Sequence, residues 1–235
     1  MNTEKARLDK MLQEKKISQE DYAILATALK RRTIFNKIHS TFILNPFQKI
    51  AGTKALFLGL ITLILTSFLG VKAQLYYLSP MSTINALVLA KQTITNPFIF
   101  LLGQNIVCWL VLAIFLLITA KIIQKNSIRI IDFFGTVALA RFPTLLVTIY
   151  TMMIRIMNPS LLDIDMSKGF PIHFTLAQYI WSIPIAILAI WQAVMYFYAY
   201  KESSGLTGKK LILSFLTIIV LAEFTTAPLT TWFMN

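Results

Sequence analysis

Five apolar stretches, each near the length of a bilayer crossing, restrict this chain more than any other feature. They run from Ala55 to about Val71, Phe98 to Ala120, about Ile131 to Met153, about Leu176 to Tyr200, and Leu211 to about Trp232. About 20 residues rising ~1.5 Å each cross a hydrocarbon core of ~30 Å, and the backbone must satisfy its own hydrogen bonds there, so runs of this length read as helices. The first run is short, but Lys54 and Lys72 at its ends can snorkel to the interfaces. Of the 235 residues, 57% are hydrophobic and 14% charged, against about 25% charged in soluble domains. The expected fold class is all-α: a polytopic membrane protein of five transmembrane helices, in contact with the lipid bilayer.

The formal net charge of +12 would suggest nucleic acid in a soluble chain. Here the basic residues flank apolar spans, as orientation in a bilayer requires, and no nucleic-acid partner is expected. Lys and Arg are dense before the first span and in the second and fourth loops, where Lys121, Lys125, Arg129, Lys201, Lys209 and Lys210 lie. The first and third loops hold only Lys72, Lys91, Arg155 and Lys168. The positive-inside rule then puts the N-terminus in the cytoplasm and the C-terminus outside. Tyr76, Tyr77, Tyr179, Trp181 and Trp232 fall near the outer interface and Tyr196, Tyr198 and Tyr200 near the inner one, a pattern expected of aromatic belts. No signal peptide is read at the N-terminus, so the spans themselves are expected to direct insertion.

Three regions are expected. Residues 1–32 read as a cytoplasmic helical hairpin, with Leu8, Met11 and Leu12 on one stripe, Ser18 and Asp21 as a capping pattern, and Tyr22, Leu25 and Leu29 on a second stripe. So small a piece cannot bury a sizeable core, which implies docking, self-association or a protein partner. Residues 33–50 read as an interfacial amphipathic segment, with Ile34, Phe35, Ile38 and Phe42 on one side. Residues 51–235 form the membrane domain. Asn-Pro-Phe occurs at Asn45 and at Asn96, where Asn at N-cap and Pro at N1 would start a helix.

Charges inside the spans are the candidate site. Arg141 lies about 12 residues, roughly 18 Å, beyond Arg129, and Glu223 about 13 residues, roughly 20 Å, beyond Lys210 on the same side. Their matching depth predicts an Arg141 and Glu223 ion pair between the third and fifth helices, with Gln192 completing a polar cluster. Asp132 belongs to the same polar set but lies about nine residues from Arg141, too far for contact on one straight helix. The pair reads first as a lock on helix register and second as a binding or relay site. Small residues at Ala51, Ala55 and Gly59, and at Thr136, Ala140 and Thr144, suit close helix packing. Pro143, Pro184 and Pro228 should bend their spans or free a carbonyl.

Enzyme signals are poor, and neither catalytic residues nor a cofactor or metal site is expected. His39 and His173 fall on opposite sides, and no His-Glu-x-x-His or Gly-x-Ser-x-Gly pattern exists. Ser203 to Lys210 departs from a phosphate loop in glycine spacing and lacks the Ser or Thr after the lysine, so it reads as a basic turn. Asp163 and Asp165 are too few carboxylates for a calcium site. The lone Cys108 excludes a disulfide within the chain.

The order Asn45-Pro46-Phe47, then Asp132-Phe133-Phe134-Gly135-Thr136 leading to Ala140-Arg141-Phe142-Pro143, then Ile190-Trp191-Gln192 leading through Tyr200-Lys201 to Gly208-Lys209-Lys210, resembles the Yip family of five-span membrane proteins, and within it the bacterial branch. The likeness covers roughly Thr41 to Phe233. In eukaryotes the family implies a role in membrane traffic and binding of prenylated GTPases, with no catalytic motif. Here the N-terminal region is short and basic and lacks the Asp-Leu-Tyr-Gly-Pro and Tyr-Gly-Tyr signatures, which puts GTPase binding in doubt. The expectation is a non-enzymatic scaffold or partner-binding protein of a bacterial cytoplasmic membrane. Its competitor is a small transporter or channel component built around Arg141, Glu223 and Gln192.

Overall fold

The structure is a computed structural model that describes residues 11–14, 18–19, 21–22, 42–85, 96–124, 128–162 and 175–232. The chain divides into two units, Met1–Pro46 and Phe47–Asn235. In the first, the Asp21 amide donates to Ser18 Oγ at 3.0 Å and the Ser18 hydroxyl donates to the Asp21 carboxylate at 2.7 Å, so Ser18 caps a helical turn. The stripe residues Leu8, Leu25 and Leu29, the interfacial residues Ile34, Phe35 and Ile38, and His39, Asp163, Asp165 and His173 lie outside the described residues.

In the second unit five helical stretches are long and apolar enough to cross a membrane. They are α1 (Gly52–Ala73), α2 (Pro97–Ile123), the third span in two pieces, α3 (Ile130–Leu139) and α4 (Phe142–Met157), then α5 (Leu176–Ser204) and α6 (Gly208–Trp232). Local chemistry sets their ends. Asn96 accepts from the Ile99 amide with Pro97 in the first turn, as the tripeptide predicted, whereas at Asn45 the same tripeptide opens only a 3-10 turn, Pro46–Gln48. A reciprocal capping box between Thr175 and Gln178 starts α5, and Gly205 at φ 67° ends it. Pro143 splits the third span: it has no amide to donate and its ring crowds the preceding turn, and the helix pauses at Ala140–Arg141. Pro184 and Pro228 are instead carried inside continuous helices.

Packing centres on α1 and the third span, which are closest at two glycines. A Cβ on Gly59 would lie 2.4 Å from Ala138 Cβ and 2.7 Å from the Leu139 amide, and one on Gly135 would lie 2.6 Å from the Gly52 carbonyl. The stripe predicted on the first span therefore works through Ala55 and Gly59, while Ala51 stands exposed ahead of the helix. Thr136 and Thr144, on either side of the break, turn instead to α5, bonding Ser203 and Gln192. The last span, α6, packs chiefly on α2.

One element has no counterpart in the sequence reading. After α1, Gln74 takes the left-handed conformation at φ 52° and turns the chain back on itself. The next residues form an antiparallel hairpin, β1 (Leu75–Tyr77) with β2 (Thr83–Asn85), in which Tyr76 opposes Ile84. Its tip, Leu78 to Ser82, enters the bundle rather than lying on its surface, and Tyr77 and Ser79 are 0% and 3% exposed. The aromatic-belt expectation needs correction for the same reason. Tyr77, Tyr196 and Tyr200 are wholly buried, whereas Tyr179 and Trp181 remain exposed. The phenols of the buried three all have hydrogen-bond partners inside the bundle.

Candidate functional site

Non-helical backbone at membrane depth is tolerated only where protein groups replace water as its hydrogen-bond partners. The hairpin backbone meets this requirement through side chains from three helices. Gln104 Oε1 of α2 accepts the Tyr77 amide at 3.1 Å, and Thr230 of α6 donates to the Leu78 carbonyl at 2.6 Å. Gln192 Nε2 and the Tyr196 hydroxyl of α5 donate to the Pro80 carbonyl at 2.8 and 3.3 Å. Glu223 of α6 accepts from the Met81 amide at 2.8 Å, from Ser82 Oγ at 3.1 Å and from Ser79 Oγ. The Tyr77 hydroxyl meets Thr148 Oγ1 of α4 at 2.9 Å and donates to the Thr66 carbonyl of α1 at 3.0 Å.

Beneath the tip lies Arg141, 1% exposed. The helix break brings it there, since a pause of two residues lets its side chain reach both α2 and α5. It donates to Asn105 Oδ1 at 2.7 Å and to the Tyr196 hydroxyl at 3.3 Å. Asn105 is anchored in turn, its amide donating to Ser67 Oγ at 2.9 Å and to the Leu101 carbonyl at 3.2 Å. Tyr196 accepts from Arg141 and Gln192 and donates to Pro80, which saturates a phenol. Thr144 completes the chain by donating to Gln192 Oε1 at 2.8 Å. Arg141 Nε has no hydrogen-bond partner among the described residues.

The sequence-predicted cluster is therefore brought together in part. Gln192 and Arg141 share Tyr196, and Glu223 and Gln192 hold adjacent residues of the hairpin tip, so the three side chains gather about one stretch of chain. The predicted ion pair is not formed: Arg141 is bound by an amide and a phenol, and Glu223 by loop donors. The physical reason is packing. The fifth span lies chiefly on the second, and the tip residues Ser79 to Ser82 take up the carboxylate. Asp132 is also outside the cluster. It stands half-buried in the first turn of α3, where a carboxylate complements the helix dipole. Its carbonyl accepts from Thr136 and Ser203, and nine helical residues put it roughly 14 Å from Arg141.

Sequence reasoning missed Gln104, Asn105, Tyr196 and the tip itself. A signal existed for two parts: adjacent amides inside the run from Phe98 to Ala120, and the turn-like Ser79-Pro80-Met81-Ser82 between spans. Chemically the arrangement is a set of matched donors and acceptors around two carbonyls and two amides of the hairpin, with a buried cation behind it. Among the described residues no group of three His, Cys, Asp or Glu side chains could hold a metal ion. Comparison with family models, curated proteins and solved structures gives no match to this chain.

Proposed function

We propose that this multi-pass integral membrane protein is a non-enzymatic, Yip-like scaffold of a bacterial cytoplasmic membrane, with a partner-binding surface on its basic side. The observation that carries the reading is the closure of its polar centre. Arg141, Asn105, Gln104, Gln192 and Tyr196 are each under 5% exposed, and their polar atoms are bound mainly to one another and to the hairpin. A site that passes a solute needs groups free to exchange partners, whereas a register-fixing core keeps its partners. Resemblance to the Yip pattern supports the same reading through Asp132 to Pro143 and Ile190 to Gln192. The basic segment at 1–32 is the proposed place for a protein partner or a second copy; its missing GTPase-binding signatures argue for a partner of another kind.

The test is capture from native membranes with residues 1–32 present or deleted. A partner or a second copy recovered only with the segment present supports the proposal, and equal recovery in both cases refutes it. One observation favours transport: a broken span and a re-entrant hairpin meet partway along the third span, as in discontinuous-helix transporters. Flux into proteoliposomes that disappears in a folded Arg141→Met variant would establish that reading and displace the scaffold.

A further inference from the structure

Between α4, α5, the hairpin and the 3-10 turn Pro159–Leu162 lies a cavity of about 280 Å³, on the face opposite the basic loops. Its walls are mostly apolar, with Leu75, Val147, Ile154, Trp181 and Ile185 among them. A second cavity of about 350 Å³, lined also by Met157 and Asn158, shares Ile154, Leu161 and Trp181 with it and extends to the helix end. Together they make a slot along the helix axis whose combined volume falls within the roughly 300–1,000 Å³ of ligand pockets.

One side chain in the slot is out of keeping with its kind. The hydroxyls of Thr62, Thr66, Thr136, Thr148, Thr217 and Thr231 all donate to the carbonyl one turn back. Thr226 of α6 and Thr151 do not. Of these two, Thr151 lines the cavity; it is 2% exposed, and its Oγ1 has no hydrogen-bond partner among the described residues. An unpaired buried hydroxyl is destabilising, and an acceptor oxygen in the cavity would relieve it.

Depth identifies that oxygen. The third span is 28 residues long and the fourth 29, so each covers roughly 42 Å and reaches through both headgroup regions of a bilayer ~40–45 Å thick. Thr151 is six residues, roughly 9 Å, from the helix end at Met157, which puts it at the boundary of hydrocarbon and headgroups. Ser182 lines the cavity at about the same level from the start of α5, and Gln178 lines it roughly 6 Å nearer the helix end. Glycerol ester carbonyls of lipids lie at that boundary. The rim is continuous with lipid-facing surface, for Ile156, Met157, Leu176 and Ile183 are all more than half exposed on membrane-spanning helices.

We infer that this slot is a glycerophospholipid site for the leaflet opposite the basic loops. An ester carbonyl accepts from Thr151 Oγ1, the upper methylenes of that acyl chain lie against Val147 and Ile185, and the glycerol end lies toward Asn158. This is a site of defined position on the protein, in addition to the general lipid contact of its outer surface.

The test uses the full chain reconstituted in phosphatidylcholine and phosphatidylglycerol vesicles with a trace of phosphatidylglycerol carrying a diazirine near the ester. After illumination, labelled peptides are mapped. The site predicts labelling of 147–154 and 178–185 about tenfold above the lipid-facing peptide 57–68 of α1. Thr151→Val should lower it about threefold, the size of one average hydrogen bond in a membrane protein. Ile185→Trp, which fills the slot, should bring it to the α1 level. Uniform labelling of all lipid-facing helices, or labelling unchanged in Thr151→Val, overturns the inference, and that variant suffices if Ile185→Trp does not fold. Excess oleate that abolishes the signal where equal unlabelled phosphatidylglycerol does not would identify a fatty-acid site instead, and overturns it as well.

Discussion

Replacing Glu223 by leucine tests whether the carboxylate serves the hairpin or the arginine. Three donors lose their acceptor: the Met81 amide at 2.8 Å, Ser82 Oγ at 3.1 Å and Ser79 Oγ. Ser82 is exposed and can turn outward, but the Met81 amide is fixed by the backbone and Ser79 is 3% exposed. Hydrogen bonds in membrane proteins average about 0.6 kcal/mol by double-mutant cycles, and an orphaned buried donor costs about 1–3 kcal/mol. Removal of a partly desolvated carboxylate offsets some of this, so the hairpin should be weakened by about 2 kcal/mol, a change of about thirtyfold in its open population. The assay is reaction of Met81→Cys with a membrane-impermeant maleimide in reconstituted protein, with Cys108 as a built-in control because it is wholly buried. Labelling at position 81 should rise about thirtyfold with Glu223→Leu, while Arg141→Met should change it far less. Unchanged labelling with Glu223→Leu would refute the hairpin role. A coupling above about 2 kcal/mol between Arg141→Met and Glu223→Leu would restore the direct ion pair that the geometry denies.

Other substitutions follow from the same contacts. Arg141→Met leaves Asn105 Oδ1 buried without its partner and should destabilise by about 1–3 kcal/mol, with most of the loss recovered in Arg141→Met/Asn105→Leu; chemical unfolding in mixed micelles checks both, and a double variant worse than the sum refutes the pairing. Gly59→Ala puts a methyl against Ala138 and the Leu139 backbone and should cost about 1–3 kcal/mol or more, whereas Gly103→Ala meets nothing within 4 Å and should be neutral or stabilising by about 0.5–1 kcal/mol. Thermal unfolding of the two side by side is the measurement, and equal effects would sink the packing argument. Gln74→Gly relieves a left-handed residue at the hairpin entry and should raise stability by up to about 1 kcal/mol, with an unchanged or lower Tm counting against it.

Much of the architecture was legible along the chain because hydrocarbon imposes a one-dimensional rule. Any apolar run of bilayer length must satisfy its own backbone, so five runs imply five helices, with ends set by local caps such as Asn96 and Thr175. A grouping was legible too, because helical rise is constant, and Gln192, Arg141 and Glu223 do gather about one stretch of chain. Partner choice was not legible. Counting residues places Arg141 and Glu223 on the same plane but carries no information on which helices touch, and α6 lies chiefly on α2. The hairpin was hidden for a related reason: eleven residues of mixed polar, aromatic and apolar type between two spans, Leu75 to Asn85, read as an exposed loop unless the amides, hydroxyls and carboxylate that receive its backbone are known to converge.

The sequence by itself thus determined that the chain is an all-α membrane protein of five spans, that its basic loops share one side, and that a charged residue interrupts the third span at a proline. Hydrophobic length, charge asymmetry and proline chemistry are local quantities, and each acts without reference to the rest of the fold. Only the tertiary structure decided that Arg141 is held by Asn105 and Tyr196, that Glu223 holds the hairpin, and that Thr151 lines a mostly apolar cavity. Those outcomes depend on which polar groups meet when the helices pack, and packing of whole helices is a long-range property that no local stretch of sequence carries.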